Sequence, residues 1–297
     1  MKKTKAKKSN KNPKYLKPIL ITGLVILVGA GLFYARSIKN KTSEAESRKK
    51  VYSVHIVAGQ SNAVGLGSKP SEIGSNPADK KIKFYYSHDS NSKGKIVKLG
   101  NQKISLNKSG SGFGPEVGLS RQLYKSGYKN IYIIKVAKGG TSLKEHWNPN
   151  GPLYKKYIKG ETTKALRELE KKGHRYSVDG FYWMQGESDM TASAAPKYKT
   201  NLQKFIKAVR NKYKNPKLKF VIGRANYPSA PAKYRKMVRD AQSSVAKNTP
   251  NVSIVNTDDL KLVDYWHYGG KGQIELGKRF FKNIQPYMAK KYPNGLK

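Results

Sequence analysis

The sequence predicts an α/β protein in which helices cover both faces of a parallel β-sheet. Short runs rich in Val, Ile, Tyr and Phe recur from residue 51 onward, and longer amphipathic segments separate them. Buried parallel strands have this composition, and alternation of strands with helices is typical of a parallel sheet between two helical layers. We therefore expect a three-layer α/β/α sandwich, preceded by one N-terminal transmembrane helix.

The predicted elements follow one another in a regular order. The helix that begins at Gly114-Pro115-Glu116 has proline in its first turn, where the missing N–H costs little, and Gly173 is a common kind of helix stop. The segment 69–112 is long, polar and weakly patterned, with further strand character near residues 83–86. The main strands are predicted at 51–58, 131–136, 178–184, 219–224 and 252–256, and the other helices at 153–172, 197–213, 233–247 and 274–288.

A basic and then apolar N-terminus predicts export. Lysines crowd the cytoplasmic tail at residues 1–18, residues 19–35 are uncharged and mostly apolar, and residues 36–50 form a polar tether before the domain 51–297. An apolar run of this length lies at the short end of the range for a membrane-spanning helix. We interpret it as an uncleaved signal-anchor in the cell membrane, with the catalytic domain outside the cytoplasm. The alternative is a signal peptide whose cleavage releases a secreted protein.

The charge is strongly positive along the whole chain. There are 60 Lys and Arg against 18 Asp and Glu, which gives a formal net charge of +42, and only 14 of the basic residues lie in the first fifty positions. Such a field attracts polyanions, among them anionic envelope polymers, although a proteome that favours lysine is an alternative explanation. We expect no nucleic-acid partner, because the chain lacks a nucleic-acid-binding motif and its predicted topology faces outward. The absence of cysteine excludes thiol nucleophiles, thiolate metal ligands and disulfides.

Three separated fragments together predict a hydrolase site. Gly59-Gln60-Ser61-Asn62 follows the first predicted strand, Trp183-Met184-Gln185-Gly186-Glu187 ends the third, and Asp264-Tyr265-Trp266-His267 precedes the last helix. Sites in parallel sheets form at the carboxyl ends of strands, so the first two fragments and Gly139-Gly140 should face one crevice. A serine is a good nucleophile only when a base takes its proton. We predict that Ser61 is this nucleophile.

His267 is the predicted base. It alone among the five histidines has a carboxylate close by in a turn that leads into a helix. Asp264 is predicted to orient its ring, so that the other ring nitrogen deprotonates Ser61. Asp258 and Asp259 are the alternative carboxylates. Packing or surface roles are expected for His55 and His88, and a position beside the cleft for His146.

An acyl-transfer site also needs N–H donors aimed at the developing oxyanion. Gly139-Gly140-Thr141 permits close approach of the backbone, Gln185 offers a side-chain amide, and Ser61 or a neighbour offers a backbone N–H. Glu187 and Asp189 are also compatible with a metal site or with the carboxylate pair of a glycosidase. No His or Cys ligand accompanies them, so we expect no metal and interpret both as braces of the loop.

These motifs resemble the SGNH-hydrolase superfamily, and within it the sialate O-acetylesterase-like domain shared with acetylxylan esterases of carbohydrate esterase family six. The resemblance covers about residues 51–290, and the motifs occur in the family's order. The matching stretches are Gly59-Gln60-Ser61-Asn62, Gly114-Pro115-Glu116, Lys138-Gly139-Gly140-Thr141-Ser142-Leu143, Trp183-Met184-Gln185-Gly186-Glu187-Ser188-Asp189 and the loop 264–267.

The resemblance implies the roles of the site residues. It implies a flavodoxin-like three-layer fold, no cofactor, Ser61 as nucleophile, His267 as base and Asp264 as the residue that orients the base. Gly140 and Gln185 are implied near the oxyanion, and substrate-binding or loop-bracing roles are expected for Asn62 and Glu187. One departure is Ala63, which stands where the family usually has methionine. The basic surface is unlike that of a plant-polysaccharide degrader and argues against xylan.

The expected function is that of a membrane-tethered serine esterase that removes O-acetyl groups from a carbohydrate through an acetyl-enzyme. The positive charge favours an anionic or cell-envelope glycan as the acetylated substrate. Two alternatives remain at this stage. An O-acetyltransferase would use the same triad with a sugar hydroxyl in place of water, and a non-catalytic module would hold anionic wall polymers.

Overall fold

The computed structural model describes residues 50–88, 95–97, 99, 102–103 and 111–296. The predicted cytoplasmic tail, the transmembrane segment 19–35 and nearly all of the tether therefore lie outside the described residues. Within the described part of the chain, no helix is both long enough and apolar enough to cross a bilayer.

A mostly parallel sheet forms the centre of the fold. The described strands are β1 (Val51–Gly59), β2 (Lys83–His88), β3 (Lys95–Ile96), β4 (Gln102–Lys103), β5 (Ser111–Gly112), β6 (Ile131–Ala137), β7 (Arg175–Met184), β8 (Lys219–Gly223) and β9 (Val252–Val255). The main sheet has the order β3-β2-β6-β1-β7-β8-β9, in which β3 is antiparallel to β2 and all other pairs are parallel. β4 and β5 form a separate antiparallel pair. The predicted strands are therefore confirmed, including the strand near residues 83–86.

The described α-helices are α1 (Ser61–Val64), α2 (Glu116–Lys125), α3 (Thr162–Glu170), α4 (Tyr198–Lys212), α5 (Ala232–Asn248) and α6 (Gly270–Lys291). The predicted helix at 153–172 differs in its first half, because Tyr154–Glu161 is wound as a π-helix. Gly160 lies within this stretch and weakens its α-helical preference. α6 begins four residues earlier than predicted, because Glu72 Oε1 accepts a hydrogen bond from the Gly270 N–H at 3.1 Å.

Two apolar cores lie on opposite faces of the sheet, and the alternation of side chains along each strand separates them. Ile56 of β1 and Trp183 of β7 belong to one core, together with apolar residues of α3, α4 and α5. Val57 and Tyr182, their immediate neighbours in sequence, belong to the other core, together with residues of α2 and α6. This arrangement confirms the α/β sandwich.

A buried polar cluster occupies the start of β1, away from the strand ends where the predicted motifs lie. His55 hydrogen-bonds through its two ring nitrogens to the Ser53 and Tyr182 hydroxyls, both at 2.9 Å. Ser53 also donates to Asp179 at 2.5 Å, and Lys291 neutralises this carboxylate. Burial lowers the pKa of His55 to about 4, so the ring is neutral and packs inside the protein.

Candidate active site

The carboxyl ends of three adjacent strands bring the predicted motifs together. Gly59 at the end of β1 pairs with Ala137 at the end of β6 and with Met184 at the end of β7. The segments that follow these three residues are the ones predicted to face one crevice. They lie side by side at one edge of the sheet.

Ser61 begins α1 directly after a sharp turn. Gly59 has a φ of +144°, and a Cβ there would lie 2.0 Å from the carbonyl oxygen of Met184, so the turn requires glycine. The Gln60 N–H donates to the same Met184 carbonyl at 3.0 Å and fixes the turn. The Ser61 hydroxyl makes no hydrogen bond to any part of the chain that the structure describes.

Asp264 and His267 are joined by a short contact, since Asp264 Oδ2 lies 2.7 Å from His267 Nδ1. Asp264 Oδ1 accepts the backbone N–H groups of Trp266 and His267, both at 2.7 Å. Partial burial by itself raises the pKa of Asp264, but these hydrogen bonds outweigh it and hold the pKa below its ordinary value. The ionised carboxylate fixes the ring and leaves His267 Nε2 as the nitrogen that can serve as a base.

Asn62 connects the histidine loop to the serine turn. Its Nδ2 donates to the Trp266 carbonyl at 2.8 Å, and its Oδ1 accepts the Tyr268 N–H at 3.1 Å. Asn62 follows Ser61 in sequence, and its two partners flank His267, so this link holds Ser61 and His267 in the same region. Asn62 is 0 % exposed, which fits the predicted bracing role rather than direct contact with substrate.

The backbone beside Ser61 is open to a substrate. A Cβ on Gly139 would lie 3.7 Å from Ser61 Cβ, so the glycine segment passes next to Ser61. Gly140 is exposed with a φ of +67°, and no heavy atom lies within 4 Å of its Cβ position. Among the described residues, no acceptor pairs with the N–H groups of Ser61 and Gly140. These two donors fit the chemistry of an oxyanion site.

The contacts of Gln185 differ from those expected of a donor to the oxyanion, which was its predicted role. It is 0 % exposed, and its Nε2 lies 2.6 Å from Asp189 Oδ2, 3.0 Å from the Thr141 carbonyl and 3.3 Å from Gln60 Oε1. An amide has two N–H donors, and these protein acceptors use both. The Gln185 amide is not free for an oxyanion because Asp189, four residues later in the sequence, accepts a hydrogen bond from it.

Asp189 was predicted to brace a loop, and its hydrogen bonds connect it to the segment that follows the glycines. Besides Gln185, this carboxylate accepts the Leu143 N–H at 2.7 Å and the Lys144 N–H at 3.0 Å. These N–H groups begin the helical turn Leu143–Trp147, which follows Gly140. Asp189 therefore fixes the position of the Gly140 backbone from below the surface.

Glu187 is buried and receives a hydrogen bond from Asn62 Nδ2 at 3.3 Å. Burial raises its pKa to about 7, although its hydrogen bonds act in the opposite direction, and the nearby charge of Asp189 adds to the rise. Glu187 is thus a brace behind the histidine loop whose charge changes near neutral pH.

A buried ion pair beneath α1 was not predicted from the sequence. Lys135 Nζ lies 3.0 Å from Glu116 Oε1, with both side chains fully buried, and it also donates to the Val64 carbonyl at 2.9 Å. Glu116 Oε1 also accepts the Gly114 N–H at 2.9 Å. The pair therefore ties the end of the serine helix to β6 and α2. A lysine inside the otherwise apolar strand IYIIKVA was the signal that could have revealed it.

The alternative carboxylates have other partners. Asp258 pairs with Arg224 and Arg239, and Asp259 pairs with Arg279 through two contacts of 2.6 Å. His146 Nδ1 accepts the backbone N–H of Ser142 at 3.1 Å, and no carboxylate among the described residues pairs with it as Asp264 does with His267. Within the described residues, no group of three or more acidic or histidine side chains is placed to hold a metal ion.

Comparison with known proteins identifies a family and a set of similar folds. The profile of the family described as carbohydrate esterase, sialic acid-specific acetylesterase, matches residues 51–285. No curated protein matches the chain.

Solved structures share the fold at low sequence identity. A protein from Arabidopsis thaliana is 22% identical, with a TM-score of 0.62 over 79% of this chain and 98% of its own. NanS is 16% identical, with a TM-score of 0.60 over 82% of this chain and 99% of its own. A carbohydrate acetylesterase from Xanthomonas citri is 16% identical, with a TM-score of 0.53 over 80% of this chain and 55% of its own.

Proposed function

The chain belongs to the carbohydrate esterase family described as sialic acid-specific acetylesterases, and from that premise we propose how and where it acts. The protein is a carbohydrate esterase that acts on acetyl groups. We propose that Ser61, His267 and Asp264 carry out this reaction on an anionic or cell-envelope glycan, outside the cytoplasm, with residues 19–35 as the membrane tether. The observation that carries the proposal is the 2.7 Å contact between Asp264 and His267, in a loop that Asn62 links to Ser61.

In the proposed mechanism, Ser61 Oγ attacks the acetyl carbonyl carbon while His267 Nε2 takes the hydroxyl proton. The C–O bond to the sugar then breaks, and the sugar oxygen leaves with the proton from His267, which generates an acetyl-enzyme on Ser61. A water molecule gives its proton to His267 and attacks this ester, so acetate leaves and Ser61 recovers its proton. Asp264 stabilises the imidazolium in both steps.

The proposed oxyanion donors are the backbone N–H groups of Ser61 and Gly140. Their lack of protein acceptors among the described residues supports this assignment. Gln185 was predicted as a donor of the same kind, but its contacts support a positioning role, because its amide holds Asp189 and the Thr141 carbonyl. Loss of one oxyanion donor typically costs about 10²–10³ in rate.

A basic groove supports the proposal of an anionic glycan. Lys144 adjoins the active-site segment braced by Asp189, and Lys197 precedes Tyr198, whose hydroxyl donates to the Gln185 carbonyl at 3.0 Å. The groove has a volume of about 610 Å³, and its lining contains no acidic residue. Its lining residues are Lys144, Asn148, Pro149, Asn150, Lys197, Asn201, Lys204, Lys207, Ala208 and Asn211. Ammonium groups and asparagine amides are suited to carboxylates or phosphates on a polar chain.

The direct test of the mechanism is capture of the acetyl-enzyme. The full-length protein is mixed with an activated acetyl ester, quenched in acid and digested, and the peptide that contains Ser61 is weighed by mass spectrometry. We expect the mass of one acetyl group on Ser61 of the wild-type protein when it is quenched during its first turnovers, and none at Ser61 in the His267→Ala protein, which lacks the base for acylation. Acetylation confined to surface lysines, or none in any protein, would contradict the proposed nucleophile.

A further inference from the structure

Three large apolar side chains are exposed together in the loop directly before the proposed base. Of the four large hydrophobic residues that are strongly exposed in the described part of the chain, three lie in the loop before His267. These are Val263, Tyr265 and Trp266, with exposed fractions of 59%, 69% and 42%. Exposed apolar side chains grouped in one loop commonly mark a binding site.

The aromatic rings of this surface are held in place. The Trp266 ring lies 5.8 Å from the Tyr227 ring, 5.7 Å from the Tyr265 ring and 6.2 Å from the His267 ring, measured between centroids. The loop is closed by a hydrogen bond from the Val263 N–H to the His267 carbonyl at 2.8 Å. Because the Trp266 carbonyl also accepts from buried Asn62, the loop presents its rings without a large loss of backbone freedom on binding.

We propose that Tyr227, Tyr265 and Trp266 form an aromatic subsite that stacks against a pyranose ring of the acetylated substrate. The inference rests on the proposed function and names the group that the site would recognise. The face of an aromatic ring carries negative charge density, and the C–H groups on one face of a pyranose offer an apolar, weakly positive surface to it. Tyrosine and tryptophan supply this contact area with few rotatable bonds.

The position of the subsite follows from the reaction. The acetyl carbonyl must reach Ser61, and the sugar oxygen must reach His267 when it leaves. The sugar that bears the acetyl group therefore lies against the loop that carries His267, whose exposed rings are Tyr265 and Trp266. A membrane surface would also accept Trp and Tyr, but it would compete with the substrate for the face next to His267.

The test separates ring stacking from catalysis by comparing two esters. One is an O-acetylated methyl glucopyranoside, and the other is trifluoroethyl acetate, which has no ring. Trp266→Ala removes the exposed ring and keeps the backbone carbonyl that binds Asn62, whereas Trp266→Phe retains an aromatic face. Ile96→Ala is the matched control, because Ile96 is an exposed apolar residue on β3.

We expect Trp266→Ala to lower the ratio of kcat/KM for the sugar ester to kcat/KM for trifluoroethyl acetate about tenfold, mainly through KM. Trp266→Phe should restore most of this ratio, and Ile96→Ala should not alter it. An equal loss with both esters would show that the loop only supports His267, and an unchanged ratio would show that no sugar stacks there. Either result overturns the proposal. The proposal is also overturned if Trp266→Ala loses binding to phosphatidylglycerol vesicles while the ratio of the two kcat/KM values stays unchanged.

A binding measurement separates failure of the subsite from failure of the esterase function. The full-length Ser61→Ala protein is titrated with the acetylated glucopyranoside, and Trp266 fluorescence is followed. Trp266 is a suitable reporter because the other two of the three tryptophans, Trp147 and Trp183, are 0 % exposed. A saturable change in fluorescence supports the subsite even if the wild-type protein releases no acetate. No change at millimolar sugar, alongside a wild type that hydrolyses trifluoroethyl acetate, contradicts the subsite alone.

Discussion

Among the individual residues, Asp264 combines a structural and a chemical role in the proposed mechanism. Its two oxygens accept three hydrogen bonds from Trp266 and His267, so the carboxylate holds both the loop backbone and the imidazole. Replacement by asparagine keeps the shape but removes the charge that stabilises the imidazolium. Asp258 and Asp259, a few residues earlier, are bound by arginines and provide matched controls.

We therefore predict that Asp264→Asn lowers kcat for acetate release by about 10⁴-fold, the scale seen when a Ser-His-Asp protease loses this carboxylate. Steady-state rates for the wild-type, Asp264→Asn, Asp258→Asn and Asp259→Asn proteins provide the measurement. The two control variants should keep activity within a few-fold of the wild type. A loss at Asp258 as large as that at Asp264 would assign the triad to a different carboxylate.

The raised pKa of Glu187 predicts that the stability of the folded protein depends on pH. Its pKa is raised to about 7 by burial, so the folded protein binds a proton more tightly here than the unfolded chain does. Between about pH 4.5 and 7 the wild type should therefore lose stability as pH rises, relative to Glu187→Gln. The difference in the free energy of unfolding should change by up to about 3 kcal/mol across this window, as linkage requires for a shift of this size.

Urea unfolding of both proteins at pH 5 and pH 8 measures this change. A difference between wild type and Glu187→Gln that stays constant over this range would show that Glu187 does not titrate as proposed. Asp189→Asn is a useful comparison, because Asp189 is the nearby carboxyl that adds to the shift and burial also raises its pKa.

The contact between Asp264 and His267 could be predicted from the sequence, whereas the hydrogen bonds that hold the neighbouring residues could not. Ser61 and His267 are found in short motifs whose chemistry is local, and the contact between Asp264 and His267 spans three positions. The roles of Gln185 and Lys135 depend on partners that only the folded chain brings near. Nothing in the sequence indicated that the Gln185 amide has protein partners. In the fold it is buried, and its N–H groups donate to Asp189 and to the Thr141 carbonyl.

Among the helices, α2 and α6 approach unusually closely behind the site. A Cβ on Gly118 would lie 2.0 Å from the Ile274 carbonyl oxygen, and a Cβ on Gly277 would lie 2.1 Å from the Pro115 carbonyl oxygen. Both obstacles are backbone atoms, which cannot turn aside as a flexible side chain can. The contact sets the position of α6, which begins three residues after His267.

Gly277→Ala should therefore destabilise the protein by about 1–3 kcal/mol, the usual cost of overpacking. Gly160→Ala is the control, because a Cβ there would meet only the Lys155 carbonyl oxygen at 3.5 Å, which is an ordinary contact. Since alanine favours helical structure, this control should be neutral or slightly stabilising. Thermal unfolding of both variants makes the comparison, and equal melting temperatures would contradict the close approach.

The order of strands and helices was predictable because composition and periodicity are local properties. The start of α6 was not, because two glycines disfavour a helix and the compensating partner, Glu72, lies about two hundred residues away in sequence. Strand β3 and the β4–β5 pair were also missed. They are two-residue strands in a polar segment, where pairing leaves no apolar pattern to detect.

At the scale of the whole molecule, the formal charge of +42 and the basic groove predict that the charge of the substrate affects its rate of hydrolysis. An acetylated anionic glycan should be hydrolysed with a higher kcat/KM than a neutral one at low salt, because the positive field raises its local concentration. The advantage should shrink as salt approaches 1 M, where the Debye length is about 3 Å. Lys204→Glu/Lys207→Glu should reduce the advantage without altering hydrolysis of trifluoroethyl acetate.

The reaction itself is tested most directly by acetate release from an activated acetyl ester. The full-length wild-type, Ser61→Ala and His267→Ala proteins are compared, with Ile96→Ala as a variant distant in sequence from the site. We predict rapid release by the wild type and by Ile96→Ala, and a loss of several orders of magnitude in the other two. Equal, feeble release by all four proteins would contradict the esterase mechanism at Ser61 and His267.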